Sequence, residues 1–166
     1  SIIDDSPITL DGWSPANSDG VFRGAVTLKQ AFARSSNAAT VRLSEEVGRA
    51  QVLRTARELG ISTPLPDTPS VALGTAGVSL LELTAAYAAV AGGRYPLKAT
   101  GLPPDSTRDE PVDLATSLFG RGGGRLDEGR HWRPMLDLLW AAANEGTGRK
   151  AALATPTFGK TGTSQD

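Results

Sequence analysis

The sequence has no cysteine, one histidine and one methionine in 166 residues. Without cysteine there can be no disulfide framework and no thiolate metal site. His131, the sole imidazole, excludes a histidine pair for a metal; beside Trp132 it reads as a surface or capping residue at a helix entrance. No apolar run approaches the ~20 residues that span a bilayer, and no secretory signal is visible. Charge of either sign is not in excess: 17 Lys and Arg stand against 18 Asp and Glu, a formal net charge of -1. That balance indicates neither a nucleic-acid footprint nor an acidic disordered tail. The glycine run Gly120-Arg121-Gly122-Gly123-Gly124 lacks the Gly-Lys-Ser/Thr ending of a phosphate loop and reads as a flexible loop. No cofactor is expected.

The length predicts one domain with a core of its own. Its 19 glycines and 11 prolines predict long irregular connections within a folded protein. The chain begins at Ser1 rather than Met and stops three residues after Thr163. A strand ending there would lack a following partner, so a portion of something longer is expected.

Taken in order, residues 1–24 read as extended and turn-rich, with Asp11-Gly12 a strong turn signal and Trp13 packing on a neighbouring element. Thr27 is placed to cap a helix in which Leu28, Ala31 and Phe32 share a face; it should end around residues 34–37. A second helix is predicted from about Ala38 to Gly48, and a third from Ala50 to Leu59 with Gly60 at its C′ position. Residues 61–78 read as a loop followed by a tight, buried turn at Val71-Ala72-Leu73-Gly74-Thr75. Ser79 and Glu82 form a capping box for a helix from Leu80 to about Ala91, apolar nearly all round and therefore expected to be buried. Beyond a weakly patterned stretch, with a short apolar piece at Val112 to Phe119, Pro134 suits the first turn of a last helix running to about Glu145.

The stretch Phe158-Gly159-Lys160-Thr161-Gly162-Thr163-Ser164 is the strongest chemical signal. Gly159 and Gly162 let a strand's backbone run close to a ligand. Lys160 adds a compact positive charge, and Thr161 and Thr163 add short hydroxyl donors. Such a strand could hold a carboxylate and polarise a carbonyl; it could equally be an edge strand with a solvated lysine. The junction Ser35-Ser36-Asn37 offers complementary groups. A hydroxyl at Ser35 can relay a proton, and the Asn37 amide can pair with a substrate amide. By itself, though, Ser-Ser-Asn is an ordinary helix boundary.

Ser-x-Asn at residues 35–37 together with Lys-Thr-Gly-Thr at residues 160–163 resembles two of the three signatures of penicillin-binding proteins and class A β-lactamases. Trp13-Ser14-Pro15-Ala16-Asn17, Val71-Ala72-Leu73-Gly74-Thr75, Leu81-Glu82-Leu83-Thr84-Ala85-Ala86-Tyr87 and Gly146-Thr147-Gly148-Arg149 resemble the transpeptidase domain of the bifunctional penicillin-binding proteins more narrowly. The likeness runs along most of the chain apart from roughly residues 94–131, where the family also varies. It implies an α+β fold of the β-lactamase/transpeptidase type, of which residues 1–166 would be a predominantly helical part with few strands. It implies a serine D,D-transpeptidase acting on peptidoglycan stem peptides ending in D-Ala-D-Ala, trapped by β-lactam antibiotics. Ser35 would relay a proton, Asn37 would contact the substrate amide and Lys160 would support the relay and the electrostatics. Thr161, Gly162 and Thr163 would bind the substrate, with the Thr163 N–H as half of an oxyanion hole. The parent would be anchored in the cytoplasmic membrane through a segment outside this sequence, with this domain on the outer side.

One departure bears on activity. The family's nucleophile lies in Ser-x-x-Lys, but three positions before Lys29, Lys98, Lys150 and Lys160 stand Val26, Tyr95, Thr147 and Thr157. The nucleophile is therefore expected outside this sequence, and the chain alone is expected to be inactive. Two other readings remain open at this point: a non-catalytic module recognising stem peptides or partner proteins, and a β-lactam sensor of the same fold.

Overall fold

Ile2 and Ile3 open the chain as β1 (Ile2–Asp4), which pairs antiparallel with β2 (Ala25–Thr27) in the register Ile3↔Val26. The structure, a computed structural model, describes residues 1–97, 125–126 and 132–162. Helices follow as α1 (Leu28–Arg34), α2 (Asn37–Val47), α3 (Arg49–Glu58), α4 (Leu80–Gly92) and α5 (Trp132–Asn144). Pro69–Leu73 and Arg149–Ala151 form 3-10 turns, and β3 (Arg94–Tyr95) pairs antiparallel with β4 (Arg125–Leu126). His131, Lys98, the apolar piece at 112–119, the glycine run at 120–124 and Thr163 lie outside the described residues. The chain divides into two compact units, Ser1–Leu53 with Leu65–Ala76 and Pro134–Asp166, and Arg54–Pro64 with Gly77–Arg133.

In the first unit Thr27 caps α1 by accepting from the Gln30 N–H, while the Gln30 side chain accepts from the Thr27 N–H. This reciprocal box satisfies two donors that the first helical turn would otherwise leave open. Ile3, Ala31 and Ala39 form the buried centre, flanked by Val26, Leu28 and Leu43. On α5, Ala141, Ala142 and Ala143 are buried, short side chains that allow close approach. The Asp11-Gly12 turn forms as expected. With φ of 51° and 78°, those two residues let Leu10 and Trp13 exchange backbone hydrogen bonds of 2.9 and 2.8 Å. Trp13 lines a small cleft with Leu10, Pro69 and Ser70. The expected buried turn at 71–75 is instead the half-buried 3-10 turn Pro69–Leu73, stopped by Gly74 at φ 73°.

In the second unit Gly60, at φ 102°, ends α3 through bonds from its N–H to Arg57 O and from the Ile61 N–H to Ala56 O. Ser79 and Glu82 make the expected capping box on α4. Both Glu82 oxygens also reach beyond the helix. Oε1 accepts from the N–H of Ser62 and Thr63 and from the Ser62 hydroxyl, and Oε2 accepts from the Thr63 hydroxyl. These bonds hold the Glu82 carboxyl well below the usual carboxylate range. The expectation that α4 is buried all round is not met: Ala85, Ala86, Ala89 and Val90 are buried, whereas Leu80 is 80% and Leu81 62% exposed. Periodicity identifies which residues are apolar, not which face a neighbour covers; here the small-residue face is the covered one. Tyr95 meets Trp132 edge-on, with ring centroids 5.5 Å apart.

Candidate active site

Ser35 sits where α1 ends and α2 has not begun, and its backbone is left-handed, φ 59° and ψ 45°. The Ser35 N–H donates to Phe32 O at 3.1 Å and the Ser36 N–H to Ala31 O at 3.0 Å, the double closure that terminates a helix with a left-handed residue. Glycine would take that conformation at no steric cost; a serine there is strained by roughly 1 kcal/mol or more. The strained residue is the one whose hydroxyl meets a lysine. Lys160 Nζ donates to Ser35 Oγ at 2.7 Å and to its neighbour's carbonyl, Thr161 O, at 2.9 Å. It also lies 5.9 Å from the centre of the Phe32 ring.

Lys160 has no carboxylate partner among the described ion pairs, and burial pushes its ammonium below the ordinary 10.5. A neutral amine is thus easier to reach here than on an open surface. The sign follows: with a folded-state pKa below the unfolded one, protonated Lys160 opposes folding. That penalty is relieved as pH rises from the folded value towards 10.5. Because the ammonium donates to Ser35 Oγ, the Ser35 hydroxyl proton must point to another acceptor. A lysine and a serine so paired have the chemistry to pass a proton along this bond.

The segment bearing Lys160 forms no strand among the described residues, which corrects the sequence expectation. A strand requires a hydrogen-bonded neighbour, and this segment is tied to a helix and a turn instead. The Asn144 amide donates to Thr157 O at 2.8 Å, the Gly159 N–H donates to Leu139 O at 3.2 Å, and the Thr147 and Thr161 hydroxyls meet at 2.5 Å. The Thr147 N–H donates to Ala33 O at 3.0 Å, fastening the same turn to α1. Gly146 permits that approach, since a Cβ there would lie 2.0 Å from Ala33 O. Thr161 and Gly162 are exposed beside Lys160; Thr163 lies outside the described residues.

Asn37 begins α2 on the other side of Ser35. Its Nδ2 donates to Ala16 O at 2.7 Å, and since a carbonyl can only accept, this bond assigns the amide's orientation. The structure thus brings Ser35 and Lys160 into contact, with Asn37 two residues from Ser35. Three residues that the sequence did not single out support them. Asp5, Asn17 and Ser36 are 1%, 5% and 5% exposed and bonded to one another. One signal for Asp5 was available: it stands two residues after the buried Ile3, so strand alternation turns its carboxylate inward. No group of His, Asp and Glu among the described residues could hold a metal ion.

No family model matches the chain. Penicillin-binding protein 1A of Neisseria meningitidis is 30% identical over the whole chain, which spans 22% of that protein's length. Penicillin-binding protein 1A of Aquifex aeolicus is 33% identical over 96% of the chain, again 22% of its own length. Among solved structures, penicillin-binding protein 1A of Haemophilus influenzae superposes with a TM-score of 0.56 and 26% identity, covering 59% of this chain and 16% of that one. PonA1 of Mycobacterium tuberculosis, solved in complex with penicillin V, superposes with a TM-score of 0.52 and 25% identity over 57% of this chain and 30% of that one. The predominantly helical architecture agrees with these neighbours, and the chain belongs to the penicillin-binding protein family.

Proposed function

We propose that this chain forms part of the active site of a serine D,D-transpeptidase that cross-links peptidoglycan stem peptides and is acylated by penicillins. The observation that carries the reading is the 2.7 Å bond between Lys160 and Ser35, residues 125 positions apart in sequence. A desolvated lysine held against a hydroxyl, with an oriented asparagine amide next to it, suits acyl transfer from an amide substrate. The nucleophilic serine, from a Ser-x-x-Lys segment outside this sequence, attacks the penultimate D-Ala carbonyl. The proton it loses passes through Ser35 to the departing D-Ala amine, with Lys160 supplying the charge that steadies the transfer. The acyl group then moves to an amine of a neighbouring stem. Asn37 pairs with the substrate amide, while Thr161 and Thr163, around Gly162, bind the terminal carboxylate. The penicillin V complex of PonA1 supports β-lactams as ligands.

The working site stands on the outer side of the cytoplasmic membrane, held by an anchor outside this chain; no described helix is long and apolar enough to cross a membrane. One other reading is a module that recognises stem peptides without acylation. Intact-mass analysis after incubation with penicillin separates the two. The isolated chain is expected to gain no adduct and the longer protein to gain one; a longer protein that stays unmodified would leave the binding module as the better account.

A further inference from the structure

We infer that Asn17 and Asp5 are positioning residues for the candidate site, setting the placement of Ser35 and Asn37 through the N-terminus of α2. This rests on the transpeptidase reading above. The first turn of a helix leaves its N–H groups without partners, and a helix's own N-cap satisfies only one or two of them. At α2 the Ser36 hydroxyl accepts from the Ala39 N–H at 3.0 Å. The remaining donors go to a side chain twenty residues away. Asn17 Oδ1 accepts from the Asn37 N–H at 2.8 Å and the Ala38 N–H at 3.2 Å, with the Ser36 hydroxyl at 3.3 Å. The other end of the Asn17 amide is fixed as well, donating to Asp5 Oδ1 at 2.8 Å and to Val21 O at 2.9 Å.

Asp5 closes the network. Its Oδ1 also accepts from the Ser36 hydroxyl, and its Oδ2 accepts from the Arg23 N–H at 3.2 Å. A fully buried carboxylate is a costly component for a small core, and no described ion pair reaches it. What it secures is geometry. Ser36 is the middle residue of the Ser-x-Asn junction, so anchoring its hydroxyl and the next two N–H groups fixes the residues on either side. The carbonyl that orients the Asn37 amide belongs to Ala16, immediately before Asn17, so one short segment positions both the backbone and the side chain of Asn37. With Nδ2 turned to Ala16 O, the Asn37 Oδ1 is presented as an acceptor for a substrate N–H.

Acyl transfer is sensitive to such placement: a shift of about 1 Å in a reacting group can lower a rate about a hundredfold. The test uses the longer protein, measuring the rate of acylation at saturating fluorescent penicillin alongside melting temperature. Asn17→Ala is expected to slow acylation roughly 10- to 100-fold in protein that is folded at the assay temperature. Leu53→Ala, a buried substitution away from the junction, is expected to lower the melting temperature and leave the rate of the folded protein unchanged. Asp5→Asn keeps the size and the Oδ1 acceptor but sets an amide donor against the Arg23 N–H. It is expected to slow acylation severalfold, and it decides the matter if Asn17→Ala does not fold. Folded Asn17→Ala or Asp5→Asn acylating at the wild-type rate would overturn the inference. Lys160→Ala distinguishes the two levels of the account. A slow Lys160→Ala with a normal Asn17→Ala defeats only the positioning role, whereas a normal Lys160→Ala defeats the transpeptidase reading and this inference with it.

Discussion

Two helices in this chain begin at a serine cap and are held in opposite ways. At α4, Ser79 and Glu82 satisfy one another within a single turn, and the Ser62–Thr63 stretch binds to that finished cap. At α2, Ser36 supplies one bond of its own, and the rest of the cap arrives from Asn17 and Asp5. The first arrangement is local and solvent-exposed; the second is buried and draws on residues up to 31 positions away. A local cap stabilises a helix wherever it lies. A remote cap also fixes where the helix begins relative to its neighbours, and it is found beside Ser35 and Asn37.

The largest expected loss lies outside both caps, at Gly146, where the turn after α5 meets α1. A Cβ there would sit 2.0 Å from Ala33 O and 2.7 Å from Ala33 C, both backbone atoms that cannot move aside cheaply. Gly146→Ala is expected to cost about 3 kcal/mol or more in urea denaturation. The paired serine substitutions sharpen the contrast. Ser36→Ala removes a cap and leaves Asp5 short of a buried donor, an expected loss of about 2–4 kcal/mol. Ser79→Ala removes an exposed cap and should cost about 1 kcal/mol. Equal losses would erase the distinction between the two helix starts.

The smallest effect concerns acid. Because the folded-state pKa of Glu82 is depressed, its contribution is fully present above the ordinary value of 4.5. It declines as pH falls below 4.5 and is lost only far below the usual carboxylate range. Amide exchange in the first turns of α4 should therefore lose protection as pH drops below 4.5. In Glu82→Gln, protection should be lower at neutral pH and flat across that window.

This contrast also explains what the sequence could and could not say. Thr27, Ser79 with Glu82, Asp11-Gly12 and Gly60 are signals completed within a few residues, and each element they predicted is present. Features that depend on distant partners were illegible. Lys160 was expected on a strand, but a strand is defined by its neighbour, and the described neighbours are Leu139, Asn144 and Thr147. The apolar surround of α4 predicted burial without saying what would cover Leu80 and Leu81. Ser35 and Lys160 were singled out by residue type and resemblance, while their contact, 125 residues apart, required the fold. Asn17 stood inside a recognised phrase, yet nothing local in that phrase reveals the helix it caps.

The most direct test of the central claim is the acylation rate of Ser35→Ala in the longer protein with fluorescent penicillin, beside its melting temperature. The hydroxyl that Lys160 contacts is removed while the left-handed backbone and its two closing bonds remain. The account predicts a fall of about a hundredfold or more in rate with little change in melting temperature. An unchanged rate would contradict it, because the Ser35–Lys160 contact would then be a feature of packing alone.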